Sequence, residues 1–301
     1  MRISILLALV LWIGLAGRVH AAEPLVDAAW AIANLRTPGI IFLDVQSERN
    51  YERRHVVGAV HTLYPEAGWR TLEDDGRITL PTPEEFAEIM SGLGIDNDTH
   101  VVIVATGSSD RDMAVATDVY WTFKFFAHDE VSILNGGLNA FRAARGPVDA
   151  QVPRRAKTQY EAKRPIARLR ATYDDVFASL GVSDIIDHRP VGHFLGLNWS
   201  SYVRRPGTIP GAKNLPTDWL MRDGAGVFRT PQELLRVLNH AQVPPQGRLI
   251  NIADASLEAS LGWFVSYELL NNKAARLYVG GFSEWTARPT SPMVRRVNVD
   301  N

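Results

Sequence analysis

Short, wholly apolar runs alternate with amphipathic stretches along most of the chain. Ile40-Ile41-Phe42-Leu43 predicts a strand ending at Asp44, and Val101-Val102-Ile103-Val104 and Val131-Ser132-Ile133-Leu134 predict two more. Between them, Thr82-Pro83-Glu84-Glu85 carries a helix start: a threonine N-cap, a proline in the first turn and a glutamate closing a capping box. Ala114 to Phe126 predicts a further helix. The second part of the chain repeats the scheme. Ile185-Ile186 leads to Asp187, Thr230 caps a helix with Glu233 at the third position, and Leu249 to Ile252 is a strand. Glu258 to Leu270 then predicts a helix and Ala275 to Val279 a strand. Apolar strands alternating with amphipathic helices specify an α/β fold, a mostly parallel sheet with helices on both faces.

The repetition extends to short phrases. Thr82-Pro83-Glu84-Glu85 recurs as Thr230-Pro231-Gln232-Glu233, Gly58-Ala59 as Gly211-Ala212, and Asn135-Gly136-Gly137-Leu138 as Val279-Gly280-Gly281-Phe282. Their order is the same in both halves. The spacing, about 150 residues, is too long for a solenoid and indicates one duplicated domain. The expected organisation is a signal peptide over 1–22, a first domain over 23–148 and a basic linker over 149–166. A second domain follows over 167–290, then a tail over 291–301.

The signal peptide expectation rests on Arg2, the apolar run Ile3 to Leu15 and the small-x-small sequence Val19-His20-Ala21. The run is shorter than the roughly 20 residues needed to span a bilayer, so cleavage and a periplasmic or secreted mature chain are expected. The formal charge of −1 points to no nucleic-acid partner and no membrane partner after cleavage. The local excess of Arg154, Arg155, Lys157, Lys163, Arg164, Arg168 and Arg170 is read as a solvated linker. The 301 residues include no cysteine, so no disulfide is available, and a chain of this length needs none to bury a core.

These phrases carry a resemblance. Arg205-Pro206-Gly207-Thr208-Ile209-Pro210-Gly211-Ala212-Lys213-Asn214 and His55-Val56-Val57-Gly58-Ala59 resemble the "GHIPGA-x-N" segment of rhodanese domains. Arg276 to Trp285 resembles their closing "RLYDGS-x-EW", and Val131 to Phe141 the "VLDGGL-x-AW" of the first domain. The pair is similar to the tandem thiosulfate and 3-mercaptopyruvate sulfurtransferases. The resemblance implies two rhodanese-like domains and no cofactor. It also implies a cysteine in the second domain, opening a loop whose backbone N–H groups favour a thiolate, a persulfide or a sulfur anion.

That loop falls at Ala253-Asp254-Ala255-Ser256-Leu257-Glu258, bracketed by the strand at 249–252 and by Trp263-Phe264. The cysteine position is Ala253. Asp254 and Glu258 place carboxylates where an incoming thiosulfate would pay for them, and the loop has no glycine. Asp187-His188-Arg189 matches the family's "D-x-R", whose Asp187 and Arg189 positions are structural or line the site. His188 and His193 are read as loop and cap partners, not as members of a serine triad or a metal site. In the first half, Thr106, Gly107, Ser108, Ser109 and Arg111 are a candidate small-anion loop; its alternative is an ordinary strand-to-helix turn capped by Ser109 or Asp110. Trp199 and Trp219 are expected near the mouth of the cleft.

The function expected is therefore a binding or scaffolding module without catalytic residues, with a periplasmic protein or a small sulfur anion as partner. Two alternatives stand beside it: a sulfurtransferase-type enzyme using a thiol from a partner or small molecule, and a sulfur-oxyanion sensor.

Overall fold

The computed structural model describes residues 22–222 and 224–298. The apolar run of the expected signal peptide lies outside the described residues. Among them, no helix is long and apolar enough to cross a membrane.

The two halves each build a five-stranded parallel sheet. The first runs Leu25–Val26, Val131–Leu134, His100–Val104, Ile40–Asp44, Val60–His61 across its width. The second runs Arg170–Ala171, Ala275–Tyr278, Leu249–Ile252, Asp184–Asp187, Lys213–Asn214, in the same order. The duplication read from the phrases is thus a duplication of topology. The central strands, buried along almost their whole length, are the continuous apolar runs of the sequence. Both predicted capping boxes form: Thr82 accepts from the Glu85 N–H at 3.1 Å, and Thr230 from the Glu233 N–H at 3.4 Å.

Two helices differ from expectation. The first-half helix spans Asp110–Phe125, starting earlier because Ser109 caps it, accepting from the Asp112 N–H at 3.2 Å. The second spans Ser256–Phe264 and ends in a π-helical turn over Val265–Leu269. These two helices pack on each other. Small side chains allow the close approach: Thr117 Oγ1 and Ser260 Oγ lie 2.8 Å apart, and Ser260 also bonds the Ala114 carbonyl at 3.3 Å. Tyr120 meets Phe264 edge-on with ring centroids 5.0 Å apart. One apolar cluster accordingly runs through both halves.

The basic linker is exposed at Arg154, Arg155, Lys157 and Arg164, but it is held to the first half. Tyr160 is buried edge-on against Phe86 and bonds His128 Nδ1 at 3.2 Å. The tail also folds back: Val294 exchanges backbone bonds of 2.9 and 2.8 Å with Thr208.

The glycine phrases explain themselves at the strand ends. Gly137 and Gly281 adopt positive φ, +57° and +56°. A Cβ on Gly281 would stand 2.4 Å from the Ala253 carbonyl oxygen, and one on Gly137 2.3 Å from that of Ala105. The residues that follow donate to those carbonyls, Phe282 to Ala253 and Leu138 to Ala105, each at 2.8 Å. Ala105 and Ala253 are therefore equivalent positions. Gly281→Ala combines a backbone strain with a clash. It is expected to cost more than about 1 kcal/mol, read as a drop in thermal midpoint of at least about 2–4 °C; an unchanged midpoint would contradict this packing.

Candidate functional site

The strand Leu249–Ile252 ends at the seam between the halves, where the chain turns through Ala253, Asp254 and Ala255 into the helix Ser256–Phe264. Ala253 is fully buried and belongs to the shared apolar cluster. Ala255 precedes the helix and offers no side-chain cap. Glu258 stands in the first turn, where its own backbone N–H favours the ionised carboxylate. Burial raises the Glu258 pKa, with Asp254 and Asp110 adding to the rise and Arg111 opposing it. Arg111 reaches across from the first half to within 3.5 Å of Glu258 Oε1.

Between this loop and the first half lies a cavity of about 460 Å³. Asp254 to Glu258 form one wall; Ala253 does not reach it. Tyr64, Arg70, Leu72, Ile78, Arg111 and Val115 come from the first half, and Arg189, His193, Ser200 and Tyr202 from the second. Both arginines behind the walls are committed to internal partners. Arg189 grips Asp187 through two bonds of 2.9 and 2.7 Å, bonds the Gly207 carbonyl at 2.8 Å and lies over the Phe282 ring. Its remaining nitrogen, Nη1, donates to Asp254 Oδ1 at 3.3 Å. Arg70 pairs with the fully buried Asp118 at 2.8 Å and donates to Ser256 Oγ at 3.3 Å. Ser256 in turn donates to Asp118 at 2.8 Å, and the Tyr64 hydroxyl donates to the same carboxylate oxygen. Such charge-assisted bonds are strong where water is excluded, and breaking one leaves an unpaired buried charge.

The structure therefore brings Asp187, Arg189, Asp254, Ser256, Leu257 and Glu258 to one place, and adds groups the sequence reading missed. Asp118 had a signal: it is the one charged residue between Ala114 and Phe123. Tyr64, Arg70 and Ser200 had none, since they meet the loop only through the fold. Asp254 is not the bare charge expected from sequence, because Arg189 and His193 face it, each at 3.3 Å.

The first-half loop is divided. Thr106 bonds Gln46 at 3.4 Å, the Ser108 N–H donates to Asp112 at 2.9 Å, and the Ser108 hydroxyl accepts from Asn139 at 3.1 Å. Ser109 is spent on the helix cap, and the Gly107 carbonyl accepts from the Gly226 N–H at 3.2 Å. Arg111 faces the other half's cavity. The partners of these five residues all lie outside the set: Gln46, Asp112, Asn139, Gly226 and Glu258. His188 is buried between the Leu215 carbonyl and Asn251 Oδ1, each at 2.8 Å. Among the described residues no His, Cys, Asp or Glu cluster has metal-binding geometry. Trp199 is exposed beside the cavity residue Ser200, and Trp219 lines a smaller neighbouring pocket together with the first half's Asp110.

The duplication supplies an internal comparison for the Asp-x-Arg pair. In the first half the corresponding residues are Asp44 and Gln46, and only amide and backbone N–H groups, at 2.8 and 2.9 Å, serve the carboxylate. Without a guanidinium, burial pushes the Asp44 pKa up to about 6, against partial relief from Gln46, His61 and His55. A raised folded-state pKa gives stability that is complete below the unfolded value of 3.8 and is lost as pH climbs through about 6. The loss from this group is about 3 kcal/mol. Denaturant unfolding at pH 4 to 7 is expected to show that decline in the native chain and not in Asp44→Asn, whose amide mimics the protonated acid. Parallel curves for the two proteins would contradict the assignment.

Residues 27–144 match the model of the Rhodanese-like domain family. A "Putative thiosulfate sulfurtransferase" of Mycolicibacterium smegmatis is 30% identical over 280 residues, covering 90% of this chain and 98% of the relative. The "Putative thiosulfate sulfurtransferase SseA" of Mycobacterium leprae is 32% identical over 274 residues, covering 87% of this chain and 88% of the relative. The crystal structure of SseA from Escherichia coli, a 3-mercaptopyruvate sulfotransferase, superposes with a TM-score of 0.71 at 24% identity over 86% of this chain and 99% of that one. The repeated topology, the glycine-locked loops and these likenesses together place the chain in the tandem rhodanese-like (thiosulfate sulfurtransferase) family, as a member without the family's cysteine.

Proposed function

We propose that this protein does not transfer sulfur by the family's route and serves as a binding module whose ligand enters the cavity between the halves. One observation carries the reading: a fully buried methyl group, Ala253, stands where a thiol would act, and the start of the helix Ser256–Phe264 carries the Glu258 carboxylate. A serine in the loop does not substitute. Ser256 Oγ is bound to Asp118 and Arg70, and a serine nucleophile needs an adjacent base such as histidine. His188 is buried against Leu215 and Asn251, and His193 faces Asp254.

The purified protein is expected to show only background transfer of sulfur from thiosulfate to cyanide. Ala253→Cys introduces the sole thiol of the chain at a position sealed from the cavity. That thiol is expected to react with Ellman's reagent at least about tenfold more slowly in the native than in the denatured protein, because buried thiols in apolar surroundings resist ionisation. Little activity should return. Adding Glu258→Lys and Asp254→Gly vacates the helix start and frees Arg189 Nη1, so the triple variant should exceed the single one. Full activity from Ala253→Cys alone would overturn the reading.

We also propose a periplasmic location, supported by Arg2, the run Ile3 to Leu15 and the site after Ala21 or Ala22. Mass spectrometry of the protein from its native cells should find an amino terminus at Ala22 or Glu23. An intact amino-terminal peptide on the mature protein would refute it.

A further inference from the structure

The cavity's polar groups differ in what they have left to offer. Arg189 donates from Nε, Nη1 and Nη2 to Asp187, Asp254 and Gly207. Arg70 donates to Ser256, Trp69 and Asp118. An anion entering the cavity would therefore find these two guanidiniums already paired, and would meet Arg111 only where that side chain leans on Glu258. The acceptors are in the opposite condition. A carboxylate can accept about four hydrogen bonds. Asp254 has one long bond, from Arg189, and Glu258 has its own N–H and the 3.5 Å contact with Arg111. Ser200 and His193 line the same cavity, but Ser200 Oγ and His193 Nδ1 are themselves closed off from it and have no hydrogen-bond partner. His193 Nδ1 is 3.3 Å from Asp254 Oδ2 without hydrogen-bond geometry.

The remaining walls are apolar or aromatic. Leu72 and Ile78 face the cavity from one side and Leu257 and Tyr202 from the other. Leu72 and Tyr202 are half exposed at its mouth, and Trp199 is exposed beside it. Such a lining suits an apolar body, and the aromatic faces add favourable contact for a cation.

We infer that this cavity binds a small organic cation, a primary ammonium or guanidinium group on an apolar body, with its charged end held by Glu258 and Asp254. This inference rests on the proposed binding role and names the ligand class for the same site. It makes the cavity opposite in preference to one that receives a sulfur anion. The two carboxylates supply the charge and the open acceptor capacity, and Arg189 behind Asp254 keeps that carboxylate in place.

A charge series on one body tests it. Phenethylamine, 2-phenylethanol and 3-phenylpropionate, with thiosulfate as a fourth titrant, are titrated calorimetrically into the full mature protein and into Glu258→Gln and Arg111→Ala. Melting curves confirm that both variants fold. The expected result is that phenethylamine binds at least about tenfold more tightly than the alcohol or the carboxylate. Glu258→Gln should remove that preference, and Arg111→Ala, by lifting a competing cation, should strengthen amine binding severalfold. Equal or tighter binding of 3-phenylpropionate or thiosulfate would overturn the cation inference and leave the binding role standing. Binding of the alcohol as tight as that of the amine would also overturn it. Binding of no member of the series to a folded protein would overturn both. An amine preference unchanged in Glu258→Gln would show that the charge is read elsewhere and would likewise overturn the assignment.

Discussion

The whole arrangement depends on the contact between the helices Asp110–Phe125 and Ser256–Phe264. They are the same element of the two halves, and each starts at the loop where its own sheet ends. Thr117 and Ser260 keep the crossing narrow, and Tyr120 and Phe264 fill the space beside it. Because the contact is close, both loops are brought to one seam and the apolar cores become one cluster. Asp118 sits on the inner face of the first helix and binds Ser256 at the first position of the second. That buried bond fixes how the acidic loop of one half presents itself to the wall of the other. The cavity is a consequence of this packing.

Much of the scaffold was legible because it is written locally. The central strands are short, mostly apolar runs, and Thr82 and Thr230 announce their helices through side chains only three residues apart. The glycine phrases were legible as repeats, although the reason for them, a carbonyl too near for a Cβ, belongs to the fold. The edge strands Leu25–Val26 and Arg170–Ala171 were not read, since two residues carry no period. The helix beginning at Asp110 was started late, because its polar first turn looks like loop until Ser109 is seen to cap it.

The site was legible only in part. The loop 253–258 could be placed from its flanks, and its acidic character read directly. What those acids do could not. Asp254 is held by Arg189, which is held by Asp187, and Glu258 meets Arg111 of the other half. Bonds between residues more than a hundred positions apart, such as Arg70 to Ser256, leave no local pattern. The comparison of Asp187-x-Arg189 with Asp44-x-Gln46 shows what the guanidinium changes: the second half pairs its buried carboxylate with Arg189, while the first holds one whose ionisation burial opposes.

Under the proposed reading the scaffold is retained while its sulfur-anion seat is lost. The glycine-locked loop, the capped helices and the Asp187–Arg189 pair are present, and a methyl group stands at Ala253 where the family's thiol would act. A crystal structure of the protein grown in millimolar thiosulfate tests this most directly, since the chain holds no cysteine and anomalous scattering from a sulfur atom in the loop would be unambiguous. The account predicts the Glu258 carboxylate against the first turn of the helix and no sulfur peak at residues 253–258. A thiosulfate bound by the backbone N–H groups of that loop, with Glu258 displaced, would contradict it.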